Sequence, residues 1–366
     1  MRIVQLANLY APGSGGLRTA VDALGRGYLA AGHERVLVVP GERFERTESE
    51  TDGLVVTVPG RPVASGYRVI TSLRPVLRLL AELAPDSVEV SDKLTLVKAA
   101  RWARRTGRRS VLLSHERIDA ILAPRVPGWF PLTAAADRWN RRLVRAFDAV
   151  VATSAFGAAE FERVGAPGLR RVPLGVDLET FRPAGTVRPE DEPALLVCAG
   201  RLSAEKNPRL AVETARVLHQ RGVPIRLELV GDGPERERLA ELAAGLPVSL
   251  TGHLEGRATM AARLAAADVV LAPCPVEAFG LAVLEALACG TPVVAPAGGA
   301  VPELLGGGAG LVAPATPEAM ATAVQKVLAQ PVEQRRARAR ARAERYPWSA
   351  SVAGMLRVHE EPAAGH

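Results

Sequence analysis

Apolar residues in the first half of the chain fall in short, nearly unbroken runs. Residues 2–7 (Arg-Ile-Val-Gln-Leu-Ala), 35–39, 54–58, 87–91, 110–114, 149–153 and 169–173 each predict a strand. Runs of that length, apolar on both faces, predict strands buried within a parallel sheet. Between them, apolar positions at three- and four-residue spacing predict helices: from Gly15-Gly16 to about Gly32, over 72–84, over 93–106 and within 121–147. The second half restarts the alternation, with strands at 194–199, 225–230, 248–251, 268–272 and 291–295 and a last strand after the glycine run 306–310. Helices are predicted over 316–330 and 332–345, and Tyr346-Pro-Trp348 breaks into a final one. The pattern is α/β, with parallel sheets covered on both faces and ligands expected beyond the carboxyl ends of the strands.

At 366 residues the chain exceeds one ordinary core, so two domains are expected. The polar, Pro-containing stretch 181–193 is the expected linker, giving domains 1–180 and 194–346. Hydrophobic content of 48% and charge of 23% fit a soluble globular protein. No apolar run approaches the roughly 20 residues that span a bilayer, and the first residues read as a strand rather than a signal peptide, so a cytoplasmic location is expected. Cys198, Cys274 and Cys289 predict small buried hydrophobes, neither a disulfide framework nor a zinc site.

Charge changes the picture further. The net charge is +7, carried almost wholly by Arg, with Lys only at 93, 98, 206 and 326, and it points to an anionic partner. Nucleic acid is disfavoured, because aromatics are 4% and no basic–aromatic strip occurs. Anionic substrates and an anionic membrane surface remain. Residues 121–147 mix Trp129, Phe130 and Trp139 with Arg125, Arg138, Arg141, Arg142 and Arg145. Two readings stay open there: an interfacial helix, or a core helix with a solvated basic face. The Arg-rich run 335–345 is expected to be a solvated helical face.

The candidate chemistry centres on residues 273–290, Pro-Cys-Pro-Val-Glu-Ala-Phe-Gly-Leu-Ala-Val-Leu-Glu-Ala-Leu-Ala-Cys-Gly. After a buried strand, a helix is expected from Phe279, with Glu277 in the turn before it and Glu285 two turns inside. The free N–H groups of Phe279, Gly280 and Leu281 would meet an anion at the helix mouth. Ionised glutamates only accept hydrogen bonds and so suit hydroxyl-rich groups. Polyol, phosphate and polyol together describe a sugar nucleotide, although a strand–loop–helix with two glutamates occurs in many α/β proteins. Arg201 and Lys206 flank the loop after strand 194–199, as a diphosphate would require. Gly15-Gly16, with Arg18 and Thr19 in the first helical turn, can turn amides toward an anion or can simply be a tight turn; the spacing matches neither a dinucleotide nor a P-loop fingerprint. Asp92-Lys93 and His115-Glu116-Arg117 sit at further strand ends.

Together Gly15-Gly16, Pro173-Leu-Gly-Val-Asp177, Gly200-Arg-Leu-Ser-Ala-Glu-Lys206, Gly231-Asp-Gly233 and the Glu277/Glu285 pair resemble the retaining family-4 glycosyltransferases of GT-B fold. Ser14-Gly-Gly-Leu-Arg-Thr-Ala20, Glu89-Val-Ser-Asp92 and Ser114-His-Glu-Arg117 look more narrowly like the GDP-mannose-dependent phosphatidylinositol-mannoside mannosyltransferases. The resemblance implies two Rossmann-like domains facing an interdomain cleft, with the last helix (347–366) packing back on the first domain. It implies Arg201 and Lys206 on the donor diphosphate, Glu285 on the ribose, Glu277 with the Phe279–Leu281 backbone on the donor sugar, and His115 on that sugar. Gly15, Gly16, Gly231 and His253 complete the donor-side candidates; Arg18, Tyr67, Arg68, Asp92, Lys93 and Arg117 are the acceptor-side candidates. No Asp-x-Asp occurs, so no metal is expected, and no cofactor beyond the nucleotide-sugar donor. The implied reaction moves a hexose, mannose from GDP-mannose, to a mannosylated inositol lipid by same-face attack, with the leaving phosphate taking the acceptor proton and with peripheral contact at the inner membrane face. The residues leave open a soluble or secondary-metabolite acceptor with a GDP- or UDP-sugar, a GT-B sugar-nucleotide epimerase, and a non-enzymatic sugar-nucleotide sensor.

Overall fold

A computed structural model describes residues 1–11, 15–63, 67–123, 126–184 and 192–363. The chain divides into two units, 1–174 with 348–366, and 175–347.

The first unit holds strands β1 (Arg2–Leu6), β2 (Glu34–Gly41), β3 (Glu45–Ser49), β4 (Gly53–Pro59), β5 (Arg61–Pro62), β6 (Arg68–Val69), β7 (Ser87–Val90), β8 (Arg109–Ser114), β9 (Ala149–Ala152) and β10 (Leu169–Arg171). Its helices are α1 (Gly15–Ala30), α2 (Arg74–Leu83), α3 (Val97–Arg105), α4 (Ile118–Leu122), α5 (Leu132–Ala146), α6 (Ala155–Glu162) and the C-terminal helix Trp348–Glu360. Eight strands form one sheet in the order β10-β9-β8-β7-β1-β2-β4-β3, parallel except for β3. Alternate residues of each strand serve opposite faces. Val4, Leu6, Val88 and Val90 pack with Leu79, Ala99 and Leu143 of α2, α3 and α5. Ile3, Val111 and Val151 pack with Leu24 and Tyr28 of α1 and with Val352, Met355 and Val358 of the C-terminal helix. The apolar runs reflect that double burial. β3 (Glu-Arg-Thr-Glu-Ser) was not expected as a strand: every residue is exposed, so edge pairing to β4 leaves no hydrophobic trace.

A buried polar cluster ties the C-terminal helix to this sheet. His359, fully buried, places Nε2 3.0 Å from Glu89 Oε2 and Nδ1 2.8 Å from Ser87 Oγ. Glu89 also accepts from Tyr28 Oη at 2.7 Å and Gln5 Nε2 at 2.9 Å. Burial alone would raise the Glu89 carboxyl, but His359, Tyr28 and Gln5 together hold it below its usual range.

The second unit carries β11 (Ala194–Ala199), β12 (Ile225–Val230), β13 (Val248–Gly252), β14 (Val269–Leu271), β15 (Val293–Pro296) and β16 (Gly310–Ala313). Its helices are α7 (Pro208–Gln220), α8 (Arg236–Leu242), α9 (Arg257–Ala266), α10 (Leu281–Ala288), α11 (Val301–Leu304), α12 (Pro317–Leu328) and α13 (Val332–Ala343). The sheet is wholly parallel, in the order β13-β12-β11-β14-β15-β16.

Two expectations change here. The chain passes between units at 174–175 and 347–348, not within 181–193, most of which lies outside the described residues. The reason is local: Val176 N–H donates to the Tyr346 carbonyl at 2.9 Å, and Arg340 donates to the Phe181 carbonyl at 2.9 Å. Nor is the Arg-rich run a solvated face. Arg335 is buried and paired with Asp268 at 3.0 Å; Arg336 donates to the Ala265 and Ala267 carbonyls; Arg340 also donates to Ala288 O. These guanidiniums satisfy carbonyls left unpaired where α9 and α10 end.

Candidate active site

Strand order in the second sheet reverses between β11 and β14, whose chain neighbours run outward in opposite directions. In open α/β sheets a crevice forms at such a point, beyond the strands' carboxyl ends. The loops leaving these two strands are residues 200–207 and 272–280, which carry Arg201, Lys206 and Glu277.

The two loops are joined. Lys206, ending the short turn Ala204–Lys206, donates to Glu277 Oε2 at 2.6 Å, and Cys274 Sγ–H donates to the Glu205 carbonyl at 3.2 Å. Burial pulls the Lys206 ammonium toward neutrality, but the Glu277 carboxylate more than offsets it, so the amine stays charged. Asn207 takes the left-handed conformation at φ 52° and lets α7 begin at Pro208. Arg201 lies exposed on the same loop.

The Glu277 loop is also clamped from β15. Gly299 has φ 71°, and a Cβ there would lie 2.8 Å from the Glu277 nitrogen; one on Gly298 would lie 2.4 Å from the Pro275 carbonyl. Ala300 N–H donates to the Glu277 carbonyl at 2.8 Å. Only glycines allow that backbone approach. This pair is visible in the sequence, but nothing there ties it to Glu277.

Helix α10 starts later than expected. Gly280, at φ 96°, is its N-cap and Leu281 its first residue, while Phe279 is buried ahead of it. The uncapped amides therefore belong to the turn from Gly280 to Val283 rather than to Phe279, and no side chain caps them. Glu285 is the fifth helical residue, a little over one turn in. It faces Arg257, the first residue of α9, at 3.5 Å. Arg257 in turn lies over the Phe181 ring, 4.9 Å from its centroid. Burial pushes the Glu285 carboxyl up to about 7; Arg257 opposes the rise and Asp177 adds to it. Burial would raise Asp177 as well, but hydrogen bonds from Thr180 and Glu179 hold it below the usual carboxylate range. Arg257 and Asp177 thus belong to the Glu285 cluster. Asp177 was marked only by the Pro-Leu-Gly-Val-Asp motif, and Arg257 carried no signal beyond opening a helix. Gly231 and His253, exposed just after β13, follow β12 and β13 on the same carboxyl edge.

In the first unit the candidate residues separate. Gly15 opens α1 with free space where a side chain would be; Gly16 follows it within the helix. Arg18 lies 3.6 Å from Asp22 and 5.5 Å from the centre of the Tyr10 ring. His115, just beyond β8, has a buried Nδ1 without a hydrogen-bond partner among the described residues. Burial lowers its pKa, and Lys93 adds to that effect against Glu116, the Leu113 backbone and Asp92.

Lys93, expected at an acceptor, is instead buried and structural: its ammonium donates to Glu160 and to the Glu116 carbonyl. Asp92 is likewise occupied, accepting from Asn8 Nδ2, from the Leu94 and Thr95 amides and from Thr95 Oγ1. Arg117 chelates Asp119 at 2.7 Å and stacks on Phe156 at 4.7 Å. Arg68 reaches Glu42 at 2.6 Å and the Gly60 carbonyl at 3.0 Å, and the Tyr67 carbonyl accepts from Val63 at 2.8 Å.

Comparison with known proteins decides the family. Residues 14–180 match the model described as Glycosyltransferase Family 4, and residues 184–345 that of Glycosyl transferases group 1. A GDP-mannose-dependent alpha-(1-6)-phosphatidylinositol dimannoside mannosyltransferase of Mycobacterium tuberculosis is 44% identical over 97% of this chain and 95% of its own length. The chain is a family-4 glycosyltransferase. The corresponding monomannoside enzyme of Mycolicibacterium smegmatis is 29% identical over 89% of each chain. The glycosyltransferase also shares its architecture with sucrose-phosphate synthase from Thermosynechococcus elongatus (TM-score 0.80, 22% identity, 98% of both chains) and with Anabaena HepE in complex with UDP and glucose (TM-score 0.72, 19%, 98% of both). The fold is GT-B, built of two Rossmann-like units. Among the described residues, no helix is long and apolar enough to cross a membrane.

Proposed function

We propose that this glycosyltransferase moves mannose from GDP-mannose to a mannosylated phosphatidylinositol lipid with retention of anomeric configuration, as a peripheral protein on an anionic membrane face. The observation that carries the reading is the joined pair of loops at the switch point, with Lys206 held on Glu277 and Glu285 held near Arg257. The 44% identity to an enzyme named for that donor and lipid class supports it.

The chemistry follows from charge. As the glycosidic bond to phosphate breaks, positive charge develops at the anomeric carbon and negative charge on the diphosphate. Arg201, Lys206 and the open amides of α10 meet the latter; the amides, fixed by the helix, need not reorganise. When the diphosphate draws Lys206 toward itself, Glu277 is released to accept hydrogen bonds from sugar hydroxyls. Glu285, once ionised, accepts from the ribose hydroxyls. His115, whose buried Nδ1 has no hydrogen-bond partner among the described residues, offers a ring nitrogen to a sugar hydroxyl. The leaving phosphate oxygen takes the acceptor proton on the face it departs from, so no protein nucleophile is assigned.

The test is turnover of GDP-mannose with phosphatidylinositol mannosides as acceptors, products resolved by mass spectrometry and anomeric configuration read by NMR. Transfer to the lipid with an alpha linkage is expected. Transfer only to soluble acceptors, or from UDP- or ADP-sugars alone, contradicts the donor and acceptor assignment; binding without turnover contradicts the enzyme reading.

A further inference from the structure

We propose that the buried pair Lys93–Glu160 is a positioning device for His115: it fixes the backbone that follows His115 and so sets the orientation of the imidazole. The inference deepens the reading of His115 as a contact to the donor sugar and rests on it. Lys93 stands in the loop after β7 and Glu160 in α6, yet both reach the segment between β8 and α4. The Lys93 ammonium donates to the Glu116 carbonyl and to Glu160 Oε1. The other Glu160 oxygen accepts from the Ile118 N–H at 3.3 Å and from Asn140 Nδ2 of α5 at 3.3 Å. The pair therefore grips the carbonyl of the residue next to His115 and the amide that opens α4. Glu160 is fully buried, and Lys93, nearly so, lies 5.1 Å from the centre of the Phe161 ring. Lys93 is anchored in its turn, because its carbonyl accepts from Trp139 Nε1 at 3.0 Å.

Two observations set this bracket apart from an ordinary core ion pair. The first is energetic. Desolvating two charges offsets most of their attraction, so a buried pair adds little net stability, and its effect here is to fix one geometry of the segment it holds. The second is that the groups around His115 are held while His115 is not. Arg117 donates to Asp119 at 2.7 Å, Asp119 also accepts from Arg163, just after α6, at 2.9 Å, and Ser114 Oγ donates to the Glu116 carbonyl at 3.4 Å. His115 Nδ1 is buried without a hydrogen-bond partner among the described residues, and Nε2 lies 3.7 Å from Glu116 Oε1, beyond hydrogen-bond range. No hydrogen bond to another side chain among the described residues orients the ring, so it takes its direction from the backbone beneath it. Displacing a group by about 1 Å from the reacting atoms can cost on the order of a hundredfold in rate. Lys93 and Glu160 thus act through His115 without touching the substrate.

The experiment compares wild type, His115→Ala, Glu160→Gln, the exchange Lys93→Met/Glu160→Met, and that exchange combined with His115→Ala. Replacing both charges by apolar side chains removes the tether without leaving a lone buried charge, so the Met exchange should melt close to wild type. Turnover of GDP-mannose with phosphatidylinositol mannosides, GDP-mannose affinity by calorimetry, and ring signals of the protein labelled with 15N at histidine are read on the same samples. The Met exchange should lower kcat about tenfold to a hundredfold while donor affinity stays within about threefold. Glu160→Gln, which can still accept from the Ile118 N–H, should lose less. In the His115→Ala background the Met exchange should cost no more than about a further twofold, because the group it orients is gone. The His115 ring signals, assigned by their absence from His115→Ala, should shift or broaden in the Met exchange. Wild-type kcat in the Met exchange, an equal loss with and without His115, or unchanged His115 ring signals would each overturn the proposal. Should the Met exchange melt well below wild type, Glu160→Gln alone and with His115→Ala carries the same comparison. Wild-type turnover by His115→Ala would sink the sugar-contact reading instead, and the ring signals would then decide the positioning claim by themselves.

Discussion

Glu285 gives the sharpest consequence of the site geometry. Its carboxyl sits at about 7 because it is buried, with Arg257 at 3.5 Å as its compensating charge. If the ribose hydroxyls need the ionised form, donor affinity rises with pH through 7 and levels off above it. About a tenth of the molecules are ionised at pH 6 and about nine-tenths at pH 8, so the dissociation constant should fall about tenfold across that interval. Arg257→Gln removes the compensating charge. At 3.5 Å the bare attraction would be about 5 kcal/mol with an effective dielectric near 20. The Arg257 side chain is 44% exposed, however, which cuts the net effect to about 1 kcal/mol. The midpoint should then move up by about 0.7 of a pH unit, weakening binding about threefold at pH 7 and hardly at all at pH 9. Glu285→Gln should flatten the profile and cost about tenfold or more at pH 8, the loss of a charge-assisted hydrogen bond. The assay is isothermal calorimetry with GDP-mannose rather than GDP, because a diphosphate esterified at both ends has no proton that titrates in this range. Buffers of different ionisation enthalpy should also report about half a proton released per donor bound at pH 7. The same linkage has an opposite sign for folding. A carboxyl raised above its unfolded value favours the native state at low pH, and that contribution is lost as pH rises through 7, so Glu285→Gln should raise Tm at pH 8 more than at pH 5. An affinity flat from pH 6 to 8, or a profile identical in wild type and Arg257→Gln, would refute the reasoning.

Other expectations are simpler to state. Lys206→Ala should weaken GDP-mannose binding about tenfold or more by calorimetry, since it removes a charged donor from the diphosphate; equal affinity would detach the 200–207 loop from the site. Gly299→Ala should lower Tm and kcat together, at a cost of about 1–3 kcal/mol, because a Cβ cannot fit 2.8 Å from the Glu277 nitrogen at that φ; a wild-type melting curve would show that the clamp is soft. His359→Ala should destabilise the first unit by about 3–5 kcal/mol in urea titration by leaving the buried Glu89 carboxylate without its imidazole. Activity should persist in EDTA, since Arg201, Lys206 and the α10 amides face the diphosphate; a complete loss restored by a divalent cation would reassign the charge stabilisation.

The chain's alternation of buried strands and amphipathic helices was legible because both sheets are covered on two faces, so each strand is a near-continuous apolar run. β3 was invisible for the converse reason. The Arg-rich segment misled because composition reports charge and not its partner: Arg335 and Arg336 look solvated in sequence but spend their guanidiniums on Asp268 and on helix-end carbonyls. Lys93 misled in the same way, since its strand-end position is shared by ligand-facing groups and by buried ion pairs such as the one it makes with Glu160. Glu277, Glu285, Arg201 and Lys206 stood out because motif spacing is local. Arg257 did not, since its meeting with Glu285 depends on how α9 and α10 pack, a contact made across 28 residues of chain.

The most direct measurement for the account is hydrogen–deuterium exchange of the full chain with and without GDP-mannose, read at peptide resolution. The donor should slow exchange at residues 200–207, at the turn from Gly280 to Val283 and at the start of α9 around Arg257. Protection confined to other segments, with these three unchanged at saturating donor, would contradict a nucleotide sugar held at the switch point of the second sheet.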